Sequence, residues 1–258
     1  MNELISDLQS YQRKAAAHTR QTIAHPPFHL YIHPTDSFRY FNYAIPDEPV
    51  EALGAEQLHS LAAAFAERDR TLRFEFLHEY TPKLRGLLDA LGVPLEGENP
   101  LLVCTPETWT AVPPLGGLDI RRLTAESPDE DLAASINVGS RGFGEETRPA
   151  TPEGIADLRR RIGLGGEYFV ARLGDEPVGV GAYTVPLDGF TELVGIATLP
   201  EYRRRGIAGA VTAEMTRVAF QEGVCIAFLT AADDDASRVY QRSGFRRMGT
   251  GLAYGEPD

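Results

Sequence analysis

Arg203, Arg204 and Arg205 stand directly before Gly206-Ile207-Ala208-Gly209, in the segment LPEYRRRGIAGA at 199–210. A β-rich stretch, TELVGIATL, precedes them, and Ile207, Val211, Met215 and Val218 recur at helical spacing behind them. A strand therefore feeds a helix that opens at about Gly206. The first N–H groups of a helix have no intrahelical partner, and the helix dipole adds roughly +0.5 charge at that end. Small residues at Gly206, Ala208 and Gly209 let an anion approach the backbone, and the neighbouring guanidiniums add charge-assisted bonds. The chemistry implied is the holding of a pyrophosphate. It is neither of the two familiar cradles, because the lysine and Ser/Thr of the triphosphate loop are missing and the glycine spacing is not that of the dinucleotide fold. His29 and His33 in FHLYIHP could look like a metal pair, but they share one strand face with no third ligand in view and read as structural or surface residues.

The composition narrows the ligand. Against 25 Lys plus Arg the chain has 37 Asp plus Glu, a formal net charge of -12, so most of its surface repels a phosphate backbone. Nucleic acid is excluded as a partner, and a cationic or small substrate is easier to accommodate. The N-terminal segment MNELISDLQSYQRKAAAHTRQ lacks the basic start and apolar run of a leader, and no apolar stretch is long enough to span a bilayer. No membrane association is expected. Cys104 and Cys225 both fall in apolar, strand-like stretches and read as buried free thiols, which fits a reducing cytoplasm.

The elements that must position the arginines follow from periodicity. LDIRRL at 118–123 alternates as a strand, and Ser127, Pro128 and Glu130 predict an N-cap, a first-turn proline and a capping-box partner for a helix ending at about Gly139. The segment GSRGFGEETRPA at 139–150 reads as a mobile loop whose Glu145 and Glu146 could close over a cleft and favour a cationic substrate. Thr151 and Pro152 open a second helix with Ile155, Leu158 and Ile162 on one face. EYFVARL, PVGVGAYTV and TELVGIATL form an antiparallel meander, and after the helix behind the arginines come the strand VCIAFLT, a helix capped within 233–235 and a last strand FRRMGTGLAY. The order is βααβββαβαβ.

The N-terminal half repeats part of this pattern. FLHEYTPKLRGLLDALGV from Phe76 aligns without a gap on FLTAADDDASRVYQRSGF from Phe228, matching Leu87 with Val239 and Gly92 with Gly244, with Tyr240 opposite Leu88. Upstream, FRYFNYAIP reads as a strand ending at Pro46, as LVGIATLP ends at Pro200, and a helix with Leu58, Leu61 and Phe65 follows. Two unrelated strand–helix–strand pieces would also give such an alignment. We read residues 1–116 as a degenerate, truncated copy without the arginine loop, preceded by an amphipathic helix, and 117–258 as the active domain. TPETWTAVPPLGG from Thr105 is the linker, with Trp109 expected to pack between the domains.

Arg203-x-x-Gly206-x-Ala208 resembles the Q/R-x-x-G-x-G/A signature of the GCN5-related N-acetyltransferases (GNAT). The strand VGIAT, the strand CIAFLT and Ala236-x-x-x-Tyr240-x-x-x-Gly244-Phe245 resemble other parts of that family, over about 119–254. The resemblance implies the mixed α+β sandwich of the acyl-CoA N-acyltransferase fold. It also implies acetyl-CoA as co-substrate without a metal, and a small-molecule or peptide amine as acceptor. Backbone groups of Ile196, Ala197 and Thr198 would pair with the pantetheine arm, and Arg203–Gly209 would hold the pyrophosphate: Arg203, Arg204, Arg205, Gly206, Ile207, Ala208 and Gly209. Tyr240 matches the family's general acid toward sulfur. Glu192 matches the catalytic glutamate of one branch and shares a face with Val194 and Ile196, whose apolar surroundings suit it to accept a proton through water. Asp233 stands where the family usually has asparagine. One active and one degraded module resembles the family's double-domain members. Transfer of another acyl group, a non-catalytic acyl-CoA sensor and homodimerisation all stay open.

Overall fold

The computed structural model describes residues 3–144 and 148–256. It divides into two compact units. The first comprises Met1–Leu101, Thr230–Asp233 and Met248–Asp258, the second Leu102–Leu229 and Asp234–Arg247. The division differs from a single cut at residue 116, because the C-terminal strand is hydrogen-bonded into the first unit.

The first unit is built from α1 (Glu3–Thr19), β1 (Gln21–His25), β2 (Phe28–Ile32), β3 (Tyr43–Pro46), α2 (Ala55–Ala66), β4 (Arg73–Leu77), α3 (Pro82–Ala90) and most of β5 (Leu95–Cys104). Most of the last strand, β11 (Arg246–Gly255), joins them, and the strand order is β1-β2-β3-β4-β11-β5. Strand β11 pairs antiparallel with β4, from Gly251 opposite Leu77 to Gly255 opposite Arg73. Its core packs Phe28, Leu30, Phe65, Phe74, Leu84, Leu88 and Tyr254, with Phe28 and Phe74 edge to face at 5.3 Å. The expected strand over FRYFNYAIP starts late: Arg39–Phe41 is a 3-10 turn and only Tyr43–Pro46 is extended. Buried Asn42 causes this. Its amide donates to the carbonyls of Asp36 (3.0 Å) and Phe38 (2.8 Å) and accepts from the His33 N–H (2.8 Å), which folds the chain back on itself.

The second unit holds β6 (Leu118–Leu123), α4 (Asp129–Phe143), α5 (Pro152–Gly163), β7 (Glu167–Leu173), β8 (Glu176–Tyr183), β9 (Phe190–Thr198), a 3-10 turn at Pro200–Tyr202, α6 (Ile207–Gln221), β10 (Ile226–Thr230, all but its last residue) and α7 (Asp234–Gln241). The order of its strands is β10-β9-β8-β7-β6, antiparallel except that β10 runs parallel to β9. Helix α6 lies against β8 because Gly179 and Gly181 leave room for it: a Cβ at Gly179 would meet Ile207 Cγ2 at 2.7 Å, and one at Gly181 would meet Met215 Cε at 2.7 Å. Helix α4 runs past Gly139 to Phe143, against the expectation of a loop from 139. Its Gly142 is a packing residue, since a Cβ there would stand 2.7 Å from Ala197 Cβ on β9. The helix ends where Gly144 turns left-handed, at φ +81°. Glu145 and Glu146 lie outside the described residues. Its cap also differs: Pro128 holds the N-cap position, and the Ser127 hydroxyl accepts from the Thr124 N–H (2.9 Å). Thr151 caps α5 as expected, accepting from the Gly154 N–H at 3.1 Å.

The aligned repeat segments have the same local structure. Gly92 and Gly244 both turn left-handed after their helices, at φ +75° and +97°. The Val93 N–H bonds Leu88 O (3.0 Å) as the Phe245 N–H bonds Tyr240 O (3.4 Å), and the Gly92 and Gly244 N–H groups bond Asp89 O and Gln241 O, both at 3.1 Å. Each helix follows a strand and leads into a ten-residue strand, β5 or β11. After β3 the first unit has no counterpart of the arginine loop. Val50 and Leu53 are buried in its core there, and the Val50 N–H donates to the Thr81 hydroxyl at 2.9 Å.

Candidate active site

Strand β9 has one edge that its neighbour does not cover. Strand β10 pairs with it only from Phe190 to Glu192, opposite Ile226 to Phe228. On the other side β8 follows β9 to Thr198 with one extra residue in β9: Val180 faces Ala197, but Ala182 faces Val194. Gly195, at φ +63°, accommodates this bulge. The bulge breaks the alternation that would have put Glu192, Val194 and Ile196 on one face. Beyond it, the Leu199 N–H donates to Val178 O at 3.0 Å, which makes Thr198 and Gly179 a non-hydrogen-bonded pair. The N–H and C=O of Thr198 therefore point away from β8, toward the edge that β10 has left. The Thr198 side chain is 9% exposed as a residue, and its hydroxyl is buried with no partner among the described residues.

The arginine turn continues from this edge. Arg204 adopts φ +63° and Gly206 φ +86°, so a left-handed arginine and a left-handed glycine precede α6. A non-glycine residue there is held against a backbone cost of order 1–2 kcal/mol, the kind of strain that collects at ligand-holding turns. Gly206 is the N-cap of α6 and supplies no side chain. The first bond of the helix runs from the Ala210 N–H to Gly206 O (3.0 Å), which leaves the N–H groups of Ile207, Ala208 and Gly209 at the helix opening. The helix thus starts one residue after the expected Gly206.

The three guanidiniums do different things. Arg203 donates from Nη2 to Gly142 O (2.7 Å) and from Nε to Thr198 O (3.3 Å). Arg205 donates to Glu201 O (3.3 Å) and stacks over Tyr202 at 4.9 Å. Arg204 is exposed and its side chain has no partner among the described residues. Of the three, Arg204 is the one whose charge is uncommitted. Glu201 carries a carboxyl held below its ordinary range by a hydrogen bond from its own backbone N–H and by Arg141 at 2.9 Å.

Glu192 lies on β9 and Tyr240 on α7. Glu192 is half-buried and is the last residue of β9 paired with β10, opposite Phe228. Its backbone is fixed by Thr184, whose N–H donates to Glu192 O (2.9 Å) and whose hydroxyl accepts from the Glu192 N–H (3.2 Å). Tyr240 is half-buried on α7, which follows β10, and its ring lies edge to face with Phe245 at 6.5 Å. Helices α7 and α6 touch where Gly209 leaves 3.5 Å between a Cβ and Val239 Cγ1. No spacing signal in the sequence marks Thr184, the Thr198 hydroxyl or the close approach of Gly142, because each depends on which strand edge or helix face meets which neighbour.

Two other expectations, for Trp109 and Cys225, are corrected. Trp109 donates from Nε1 to Ala213 O on α6 (3.3 Å), inside the second unit, so its indole belongs to the packing of that unit. Cys225 is exposed in the turn before β10, where its N–H bonds Gly189 O (2.7 Å), whereas Cys104 is buried and burial pushes its thiol up. His29 pairs with Asp47, and His33 Nδ1 accepts from the backbone of Thr35 (3.3 Å) and Asp36 (3.0 Å). Among the described residues there is no group of three or more His, Cys, Asp or Glu able to hold a metal ion, and no helix long and apolar enough to cross a membrane.

A sequence model of the "Acetyltransferase (GNAT) family" matches residues 139–245. The matched span runs from the last turn of α4 through the open strand edge and arginine turn to the end of α7. Three solved structures are similar over most of the chain. A GCN5-related N-acetyltransferase from Kribbella flavida is 24% identical, with a TM-score of 0.79 over 100% of this chain and 97% of that one. A GCN5-related N-acetyltransferase from Sphaerobacter thermophilus is 17% identical, with a TM-score of 0.63 over 89% and 76%. A tandem GNAT protein from the clavulanic acid biosynthesis pathway is 13% identical, with a TM-score of 0.61 over 90% and 79%. No curated protein matches. Residues 139–245 thus match the GNAT family model, and the chain, its N-terminal half included, has the mixed α/β fold of GNAT acetyltransferase structures.

Proposed function

We propose that the second unit moves the acetyl group of acetyl-CoA to a primary amine of a small molecule or peptide, by direct transfer while both substrates are bound. The observation that carries this reading is the uncovered edge of β9 with the Thr198 N–H on it, ending in the left-handed Arg204–Gly206 turn. An extended amide-bearing arm can add to such an edge as a further strand, with its diphosphate at the opening of α6. The buried, unpartnered Thr198 hydroxyl is a polar group that such an arm would also satisfy. In this reading Ile196, Ala197 and Thr198 hold the arm, Arg204 with Gly206, Ile207, Ala208 and Gly209 holds the pyrophosphate, and Arg203 and Arg205 shape the turn.

In the reaction the amine nitrogen attacks the thioester carbonyl carbon, the C–S bond breaks, the amine loses a proton and the sulfur gains one. A strand N–H at the bulged part of β9 stabilises the oxyanion. Glu192 accepts the amine's proton through water. Tyr240 hydrogen-bonds the leaving sulfur, and the released thiolate takes its proton from water: an ordinary phenol, near 10, is a weaker acid than an ordinary thiol, near 8.5, so complete transfer from tyrosine is uphill by roughly 2 kcal/mol.

The test is thiol release from acetyl-CoA across a panel of amines, with Tyr240→Phe beside the wild type. Amine-dependent release slowed in the variant supports the reading. Tight coenzyme binding without release for any amine points instead to a sensor. Gly206→Glu is expected to abolish coenzyme binding by calorimetry while the circular dichroism spectrum is kept, and retained affinity would rule out the turn as the phosphate seat.

A further inference from the structure

Resting on that reading of the site, we infer that Arg203 is a positioning residue: it couples the open edge of β9 to the last turn of α4, and does not itself bind the coenzyme's phosphates. Its guanidinium bridges two backbone carbonyls. Nη2 donates to Gly142 O at 2.7 Å, and Nε donates to Thr198 O at 3.3 Å. Gly142 belongs to α4, and Thr198 is the residue of β9 whose N–H and C=O face the uncovered edge.

The two anchors already touch. A Cβ on Gly142 would lie 2.7 Å from Ala197 Cβ, 3.4 Å from Thr198 N and 3.5 Å from Thr198 O, so a larger residue there would have to push α4 away from β9. Arg203 closes this contact from the solvent side. A second tie runs parallel to it, from Arg141 of α4 to Glu201 of the 3-10 turn (2.9 Å). Any ligand group that pairs with the Thr198 peptide therefore acts on a peptide whose carbonyl is fixed to α4. Arg204 is placed the opposite way: its backbone is left-handed, it is exposed, and its side chain is uncommitted among the described residues. The arginines thus divide the work, with Arg204 supplying charge and Arg203 supplying geometry. Lysine cannot replace Arg203, because one ammonium on a flexible stem does not reproduce a planar fork reaching two carbonyls.

The experiment compares wild type, Arg203→Lys and Arg204→Gln by calorimetry with coenzyme A and by amide hydrogen exchange over 139–144, with and without coenzyme A. In the wild type, coenzyme A is expected to slow exchange at 139–144. In Arg203→Lys those amides exchange faster without ligand, the coenzyme's protection of them is lost, and the coenzyme Kd stays within about twofold. Arg204→Gln shows the reverse, with unchanged exchange and a Kd weaker by roughly tenfold, as for a lost charge-assisted bond. If Arg203→Lys leaves exchange at 139–144 unchanged, or weakens coenzyme binding as much as Arg204→Gln does, the assignment is overturned. A wild type that binds no coenzyme A defeats the acyl-donor reading instead, and the unliganded exchange difference still decides whether Arg203 holds α4 to β9.

Discussion

Gly92 and Gly244 end matched helices with the same backbone turn, yet only one is held by its surroundings. A Cβ at Gly92 would meet nothing within 4 Å, whereas one at Gly244 would stand 2.0 Å from Thr108 O. Both substitutions to alanine incur the left-handed penalty of about 1 kcal/mol. At Gly244 the segment around Thr108 and Trp109 must also move, and it is tied down by the Trp109–Ala213 bond and by the Thr110 N–H on Ser243 O at 3.1 Å. Gly244→Ala is therefore expected to lower stability by at least about 2 kcal/mol more than Gly92→Ala, on the scale of overpacking. Urea unfolding of the two variants checks this, and equal midpoints would show that the Thr108 contact gives way freely. At this scale Gly206 and the glycines after the two helices were legible in the sequence, since a turn that needs positive φ selects glycine. The Thr198 hydroxyl and the different fates of three adjacent arginines were not. Residue type records that a guanidinium is available, and only the placed backbone decides which carbonyls it reaches.

Strand and helix order from β6 through β11 was legible from periodicity together with turn and cap residues. The misreadings came from glycine. Gly139 and Gly142 look like helix breakers, but both lie inside α4, and Gly142 is the residue that lets the helix lie close on β9, while Gly195 in β9 marks the bulge that shifts Ala197 and Thr198 relative to Glu192. The same device on the other face sets α6. Gly179 leaves space for Ile207, the first residue of α6, directly behind the turn that opens the helix. An alanine at 179 needs a shift where Ile207 Cγ2 now stands at 2.7 Å, and the cheapest shift displaces the first turn of α6 with its N–H groups. Gly179→Ala is thus expected to weaken coenzyme A binding by about tenfold or more, while costing stability in the 1–3 kcal/mol range of overpacked cores. Calorimetry beside thermal unfolding separates the two effects. Unchanged affinity at reduced stability would mean that β8 yields and α6 stays in place.

The repeat was legible as an alignment, but its consequence for the chain's division was not, because strand pairing across long sequence separation leaves no periodic trace. Strand β11 ends the chain and yet completes the first unit: it pairs with β4 over five residues, Leu252 and Tyr254 lie in that unit's core, Tyr254 stacks on Phe76 at 6.1 Å, and its hydroxyl donates to Asp89 at 2.8 Å. A fragment of residues 1–116 keeps every helix of the first unit and loses this strand, which leaves the β4 edge bare and opens the core where a fully buried tyrosine had been. Removing one large aromatic from a core costs about 3–5 kcal/mol, a large share of the 5–15 kcal/mol that ordinarily holds a domain. The fragment is therefore expected to lack cooperative urea unfolding and near-ultraviolet circular dichroism. A peptide of residues 246–258 added in trans should restore both, and it should do so less well when it carries Tyr254→Ala. A fragment 1–116 that unfolds cooperatively without the peptide would show that the first copy is a self-sufficient domain, with β11 an accessory to it.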